Sequence, residues 1–172
     1  MNALPTFLKP RLVHLYVFLF CAAMIAIAIA MEIVLELEPC PLCIMQRVFF
    51  IATGLVALAG AIHNPSSPRG RAIYGLLATA MAVIGGGFAT RQIWLQSLPA
   101  DQVPACQPSI GYMLEANFPL NKVLKVLLSG DGSCAEITWR DPLFNFFTIP
   151  QLSLLGFVML AGVCLWQAAR KQ

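Results

Sequence analysis

Cys40 and Cys43, two cysteines separated by two residues, are the side chains of this sequence best suited to chemistry. Cysteines at this spacing either exchange electrons as a dithiol and a disulfide or supply two ligands to a zinc ion. Arg47 follows shortly after them, and its guanidinium stays charged and can donate hydrogen bonds to a bound carbonyl compound. They lie just outside one apolar stretch and at the start of the next, and a dithiol beside a cation at a membrane surface suggests electron transfer between thiols and an acceptor dissolved in lipid.

A helix is predicted to begin directly after Cys40. Pro41 suits the first helical position, which makes Cys40 the residue that caps the helix and Cys43 its third residue. Both sulfurs then lie near free backbone N–H groups at the positive end of the helix dipole, so we expect a thiolate to be stabilised at either cysteine. Arg47 lies one helical turn after Cys43 on the same face.

The elements that must position these residues are predicted to be membrane-spanning helices. The chain has 172 residues, of which 59% are hydrophobic and 11% are charged, whereas soluble domains have about 25% charged residues. We predict an all-α membrane protein in which a single domain, residues 1–172, forms a bundle of four transmembrane helices. The predicted spans are about 12–31, 44–62, 72–90 and 150–169.

Two other classes of protein are disfavoured by the composition. The net charge of +3 is small, and no basic stretch interleaved with aromatic residues supports binding of nucleic acid. The first apolar segment contains Ala26-Ile27-Ala28 and Ala28-Ile29-Ala30, which resemble signal-peptide cleavage sites. Its apolar run is longer than the ~7–15 residues of a signal core, so we interpret it as a retained span.

The distribution of charge predicts that both termini face the cytoplasm (N-in/C-in). One side of the membrane then carries six cations and no acid: Lys9, Arg11, Arg69, Arg71, Arg170 and Lys171. All eight acidic residues fall on the other side, together with five cations, three of them in a long loop where charge counts for less. The loops at about 32–43 and 91–147 are therefore predicted to face away from the cytoplasm.

This topology brings four cysteines to the same side of the membrane: Cys40, Cys43, Cys106 and Cys134. In a bacterium that side is the oxidising periplasm, where disulfides persist. Cys21 and Cys164 fall inside the first and fourth spans, where a free cysteine packs as a small hydrophobic side chain. A zinc site at Cys40 and Cys43 is disfavoured, because the other two cysteines are far apart in sequence and the histidines lie toward the cytoplasm.

The long loop contains one amphipathic segment and two cysteines in accessible surroundings. Residues 119–128 mix lysines with leucines and valines, and we predict a short helix on the membrane surface, with packing on top of the bundle as the alternative. Cys106 lies between Pro104 and Pro108, which favour an extended segment that a partner protein can approach. Residues 130–133 are typical of a flexible turn that lets Cys134 move between partners.

Two motifs resemble a known family. Glu-Pro-Cys-Pro-Leu-Cys-Ile-Met-Gln-Arg at 38–47 resembles the first active-site loop of the disulfide bond formation protein B (DsbB) family. Ser-Cys-Ala-Glu at 133–136, followed by Trp139, resembles the second-loop motif of that family. The resemblance implies a quinone-dependent protein-disulfide oxidoreductase of the bacterial inner membrane. Such an enzyme reoxidises a periplasmic DsbA-like thioredoxin-fold protein and passes two electrons to ubiquinone or menaquinone.

The resemblance also implies a role for each site residue. Cys106 forms the mixed disulfide with the DsbA-like partner, and Cys134 is its partner within the loop. Cys40 joins Cys134 in an interloop disulfide, which leaves Cys43 as the thiolate that faces the quinone. Arg47 holds the quinone and stabilises its developing negative oxygen.

The sequence departs from the family pattern after the third span. Some members carry a histidine there, where this chain has Trp94-Leu95-Gln96-Ser97. Arg91, Gln92 and Trp94 are the candidates to line the same region in its place. Two other functions stay open: an enzyme like vitamin K epoxide reductase, which also combines quinone and thiols, and a non-enzymatic membrane protein with structural disulfides.

Overall fold

The computed structural model describes residues 9–99, 101–108, 110–140 and 147–170. In chain order the helices are α1 (Pro10–Leu35), α2 (Pro41–His63), α3 (Pro68–Gln96), α4 (Ile110–Glu115), α5 (Leu120–Ser129) and α6 (Ile149–Ala169), with a 3₁₀ helix at Gly132–Ala135. The described residues contain no β-strand, only an isolated bridge between Arg140 and Thr148. Asp141 and Lys171, which entered the charge argument, lie outside the described residues.

Four of these helices, α1, α2, α3 and α6, are long and apolar enough to cross a membrane. Their outward-facing side chains include leucines and valines that are more than half exposed, such as Leu55 at 57% and Val158 at 60%. Surfaces of this kind suit lipid, which is as apolar as they are. The prediction of an all-α membrane protein with four spanning helices is confirmed.

The helices extend beyond the apolar segments from which the spans were predicted. The third was expected over 72–90 and runs over Pro68–Gln96. Its 29 residues have a length of about 44 Å at 1.5 Å per residue, whereas the hydrocarbon core is about 30 Å thick. The extra turns at its end carry Gln92 and Gln96, because polar side chains end an apolar segment without ending the backbone hydrogen bonding of the helix.

Proline and capping side chains define where the long helices begin. Pro41 is the first residue of α2, and the Sγ of Cys40 accepts a hydrogen bond from the backbone N–H of Cys43 at 3.4 Å. Proline is tolerated there because the first N–H groups of a helix have no partner within the helix. The predicted start of α2 directly after Cys40 is therefore found. Thr148 and Gln151 cap α6 reciprocally, as in a capping box.

The bundle is centred on α2 and α3. α3 packs against both α2 and α6, and α2 also packs against α1. Small buried residues on α3, including Ala78, Ala82 and Gly85, let its neighbours approach closely. Phe157 of α6 fills the space beside Gly85 and stacks on Phe50 of α2, with ring centroids 4.0 Å apart. This packing holds the start of α2 next to the end of α3.

The predicted amphipathic segment forms α5, which begins after Pro119 and ends at Gly130. Its Val123 and Val126 are buried and cluster with Met113 of α4. α5 also contacts α2, so part of its apolar surface packs on the protein. A second apolar row, which faces outward, consists of Leu120, Leu124 and Leu128. Contact of this row with the membrane surface stays a prediction.

Candidate active site

Three sulfurs from two loops meet at the first turn of α2. The Sγ atoms of Cys40 and Cys43 lie 2.9 Å apart. On its other side, Cys40 packs against the cluster that contains Cys134. Cys134 is fully buried in a small cluster with Leu42 and Leu95. Cys40 is thus the middle sulfur of three, in contact with one cysteine of its own loop and with one from the long loop.

The protons in this cluster are distributed unequally. Hydrogen bonds from Cys40 to Cys134 and to Cys43, followed by burial, raise the pKa of the Cys40 thiol. The same hydrogen bond from Cys40 lowers the pKa of the Cys134 thiol, although burial acts in the opposite direction. The helix terminus does donate a backbone N–H to the Sγ of Cys40, as expected, but the thiol pKa of Cys40 is raised and not lowered. Cys40 has a single S–H proton, which it can donate to one of these sulfurs at a time, and each such hydrogen bond favours its protonated form.

Gln92 connects α3 to the first cysteine pair. Its Nε2 lies 3.3 Å from the Sγ atoms of both Cys40 and Cys43. Its Oε1 accepts a hydrogen bond of 2.7 Å from the Nε2 of Gln46, and both glutamines are buried. The same Oε1 lies 3.6 Å from the Sγ of Cys43 and can accept from its thiol, while the N–H donors of Gln92 face both sulfurs. These donors stabilise negative charge on Cys43.

Arg47 is held by α1. Its Nη1 forms an ion pair of 2.5 Å with Oε2 of Glu32, and its Nη2 donates to the backbone oxygen of Ala28 at 3.3 Å. The Arg47 side chain is 26% exposed. Its charge is therefore compensated and its position is fixed, which reduces the free-energy cost of an arginine near the end of an apolar helix.

A cavity opens beside Cys43, between α1, α2 and α6. Four of the polar side chains that line it are Glu32, Gln46, Arg47 and Gln92. Most of the remaining lining is apolar and includes Met24, Ile25, Phe50, Ile149 and Leu152. Trp139 of the second motif also lines it. A cavity of this kind suits a flat apolar molecule with a few polar atoms.

Two of the candidate residues from α3 lie away from this cavity. The guanidinium of Arg91 sits 4.3 Å above the ring of Trp94, and its Nε donates to the backbone oxygen of Ser129 at 3.4 Å. Trp94 is 48% exposed. Gln92 is the member of the predicted group Arg91, Gln92 and Trp94 that reaches the sulfurs, because helical geometry points successive side chains in different directions.

Cys106 lies at the surface, directly beside the turn that carries Cys134. It is exposed. A Cβ placed on Gly132 would lie 2.8 Å from the Sγ of Cys106, so the two segments are in contact. Asp131 also binds the Cys106 segment, through a hydrogen bond of 2.9 Å from the backbone N–H of Gln107. The structure therefore brings all four predicted cysteines to one end of the bundle.

The remaining two cysteines have no part in this cluster. Cys21 and Cys164 are buried in the apolar core formed by the spanning helices, as expected of structural cysteines. Three residues that the motifs did not single out do belong to the site: Glu32, Gln46 and Asp131. Gln46 lies within the first motif, three residues after Cys43. In a helix this spacing places both side chains on one face, so the sequence could have identified Gln46. Glu32 and Asp131 had no such signal, because their contacts depend on the folded chain.

Known proteins resemble this chain over nearly all of its length. The family model for disulfide bond formation protein DsbB matches residues 10–167. The chain is 47% identical over 161 residues to disulfide bond formation protein B of Saccharophagus degradans, which covers 94% of both chains. It is 46% identical to disulfide bond formation protein B 1 of Pseudomonas aeruginosa over 163 aligned residues. This alignment covers 95% of this chain and 97% of the relative. No solved structure matches the chain.

Proposed function

The chain belongs to the family of disulfide bond formation protein DsbB, and from this premise we propose that it reoxidises a DsbA-like dithiol protein and passes the electrons to a membrane quinone. One observation carries the proposal. Cys40 contacts both Cys43 and Cys134, so the cysteines of the two loops form a continuous path from the protein surface to the cavity. Disulfides can exchange along such a path without large movements of the helices.

The path begins at Cys106, the exposed cysteine. A thiolate of the partner attacks the Cys106 sulfur of a Cys106–Cys134 disulfide and forms a mixed disulfide with Cys106. Cys134 leaves as a thiolate. While Cys40 is held in its disulfide with Cys43, a backbone hydrogen bond from Leu42 stabilises this thiolate.

The middle of the path is the contact between Cys134 and Cys40. The Cys134 thiolate attacks the Cys40 sulfur of a Cys40–Cys43 disulfide, and Cys43 leaves as a thiolate that Gln92 stabilises. The second thiol of the partner then resolves the mixed disulfide and releases Cys106. Cys106 attacks Cys134, which restores the Cys106–Cys134 disulfide and frees Cys40. Two electrons have moved from the partner to Cys40 and Cys43.

The residues around the cavity fit a quinone. Arg47 and Gln92 offer N–H donors to ring carbonyl oxygens, and the apolar walls suit the ring and an isoprenoid tail. When bound, ubiquinone or menaquinone accepts the two electrons and two protons of the Cys40–Cys43 dithiol. Cys43 lines the cavity, Gln92 donates a hydrogen bond to its sulfur, Gln46 holds Gln92 in place, and Glu32 fixes Arg47.

Quinone consumption by the purified protein tests the proposal. The protein is mixed with a reduced DsbA-like partner and a soluble quinone, and the absorbance of the quinone is followed. We expect catalytic consumption that stops in the Cys43→Ser variant and continues in Cys164→Ser, since Cys164 lies in the apolar core. Absence of consumption by the unaltered protein, with a partner and a quinone of proven competence, would show the proposal to be wrong.

A further inference from the structure

We propose that Asp131 is a positioning residue that holds Cys106 against the turn of Cys134, so that these two cysteines close to a disulfide. The inference rests on the proposed function, in which this pair must be restored in every turnover. It concerns a carboxylate that touches neither the cavity nor the Cys40–Cys43 pair.

Asp131 binds both segments with one carboxylate. Its Oδ2 accepts from the backbone N–H of Gln107 at 2.9 Å, directly after Cys106. Its Oδ1 accepts from the backbone N–H of Ser133 at 3.2 Å and from the Ser133 hydroxyl at 2.5 Å. The thiol of Cys134 lies 3.8 Å from the same Oδ1. Each oxygen therefore holds a residue adjacent to one of the two cysteines.

Burial makes these hydrogen bonds costly to lose. Asp131 is only 3% exposed, and among the residues that the structure describes it forms no ion pair. A buried carboxylate without a cation depends on hydrogen-bond donors for its stability. Separation of the Cys106 segment would remove the Gln107 donor and leave Oδ2 without its partner. The Cys106 segment is therefore retained even though Cys106 itself is exposed.

Gly132 allows the close approach that this arrangement needs. A Cβ at this position would lie 2.5 Å from the backbone oxygen of Pro104 and 2.8 Å from the Sγ of Cys106. Real Cβ atoms do not come this close to other atoms, so a larger residue would push the Cys106 segment away. Asp131 supplies the attachment, and Gly132 leaves the space.

The step that Asp131 assists is an intramolecular exchange. The Cys106 thiolate attacks Cys134 in the Cys134–Cys40 disulfide, the Cys106–Cys134 bond forms, and Cys40 leaves as a thiolate. The proton lost by Cys106 goes to solvent, and Cys40 takes up a proton. A fixed distance between Cys106 and Cys134 raises their effective concentration, which favours the closed disulfide.

The redox equilibrium of each cysteine pair tests this role. The full-length protein is equilibrated with mixtures of reduced and oxidised glutathione, free thiols are alkylated, and the Cys106–Cys134 and Cys40–Cys43 disulfides are quantified separately by peptide mass spectrometry. Loss of one charge-assisted hydrogen bond should shift the Cys106–Cys134 equilibrium toward the thiols by roughly tenfold in Asp131→Asn. The Cys40–Cys43 equilibrium should not change.

Two substitutions at Gln107 separate the hydrogen bond from the side chain. Gln107→Pro removes the backbone N–H that binds Oδ2 and should shift the pair as Asp131→Asn does. Gln107→Ala keeps that N–H and should behave as the unaltered protein. Asp101→Asn, which changes an exposed carboxylate of the same loop, is a further control.

The outcomes distinguish this inference from the proposed function. Equal equilibria for the unaltered protein, Asp131→Asn and Gln107→Pro would overturn the positioning role. A parallel shift of both cysteine pairs would also overturn it, because it would indicate a general loss of structure. Since glutathione replaces partner and quinone, a selective shift supports the positioning role even in a protein that consumes no quinone, and that second result would reject the proposed function alone.

Discussion

At the scale of single residues, Cys40 is the sulfur that both loops share, and when all the cysteines are reduced the hydrogen bonds that it donates raise its thiol pKa. In the proposed cycle Cys134 is the attacking sulfur, and Cys40, which is then bonded to Cys43, is the sulfur attacked. A backbone hydrogen bond from Leu42 stabilises the Cys134 thiolate at that stage. Thiolates are the nucleophiles in disulfide exchange. The helix terminus alone would have favoured a thiolate at Cys40, but the hydrogen bonds that Cys40 donates outweigh that effect.

Gln92 is expected to maintain the thiolate of Cys43. Gln92→Leu removes both N–H donors from the sulfurs and leaves Gln46 without its acceptor. We predict that alkylation of Cys43 by iodoacetamide at neutral pH slows by roughly tenfold, because the loss of a hydrogen bond to a charged group costs about 1.5–3 kcal/mol. Trp94→Leu on the exposed side of α3 is the control. Equal alkylation rates for all three proteins would contradict the role of Gln92.

Arg47 is expected to determine quinone affinity. In Arg47→Ala we predict that the KM for a soluble quinone rises by at least about tenfold, because a charged donor is lost from the cavity, while the KM for the dithiol partner stays the same. Arg91→Ala should leave both constants unchanged, since Arg91 stacks on Trp94 outside the cavity. A raised quinone KM in Arg91→Ala instead would mean that the cavity is wrongly assigned.

Sequence patterns identified some of the site residues and missed others for a physical reason. Helical spacing alone predicts that three site residues lie close together, because they are close in sequence: Cys40, Cys43 and Arg47. Glu32 meets Arg47 only because α1 packs on α2. In the sequence, Asp131 is typical of a turn. Its role depends on the hydrogen bond from the Gln107 backbone, which forms only when the two segments pack together. Contacts between elements distant in sequence are not encoded in local spacing.

At the scale of elements, the packing of α3 fixes the geometry of the site. Hydropathy predicted α3 because lipid requires an apolar helix, but it did not predict which face of α3 meets α2. That face is set by small residues such as Gly85, against which Phe157 and Phe49 pack. Gln92 extends from the same helix and reaches Cys43 because this packing is close.

Two glycines on α3 give a matched test of this packing. Gly85→Ala should destabilise the protein by about 1–3 kcal/mol, because the new methyl group overlaps the ring of Phe157 and lies 2.8 Å from the Cβ of Phe49. Gly87→Ala adds the same methyl group where nothing lies within 4 Å. It should leave stability unchanged or raise it by up to about 1 kcal/mol. Thermal unfolding in detergent measures both, and equal effects would contradict the close packing.

At the scale of the whole molecule, the proposed orientation places all four reactive cysteines on one side of the membrane. The described cations near the termini and near the loop between α2 and α3 are Lys9, Arg11, Arg69, Arg71 and Arg170. Positive charge next to spanning helices favours the cytoplasmic side. We therefore propose a protein of the bacterial inner membrane whose two cysteine-bearing loops lie in the periplasm.

Labelling of intact cells tests this orientation. A maleimide that cannot cross membranes should label Cys106 after treatment with a reductant, since this cysteine is exposed. A cysteine introduced as Ser66→Cys, in the exposed loop between α2 and α3, should be labelled only after the inner membrane is permeabilised. Labelling of Ser66→Cys in cells with an intact inner membrane would reverse the proposed topology.

The middle position of Cys40 limits how many electron pairs can pass through the protein at one time. A sulfur atom forms one disulfide at a time, so Cys40 is bonded either to Cys134 or to Cys43. In the proposed cycle the Cys40 sulfur therefore bonds first to the cysteine on the partner side, Cys134, and then to the cysteine on the cavity side, Cys43. The electrons of a second partner molecule can reach Cys40 in this cycle only after the Cys40–Cys43 disulfide has re-formed, so one electron pair passes in each cycle. We therefore expect the rate of the proposed cycle at high partner concentration to be limited by re-formation of the Cys40–Cys43 disulfide.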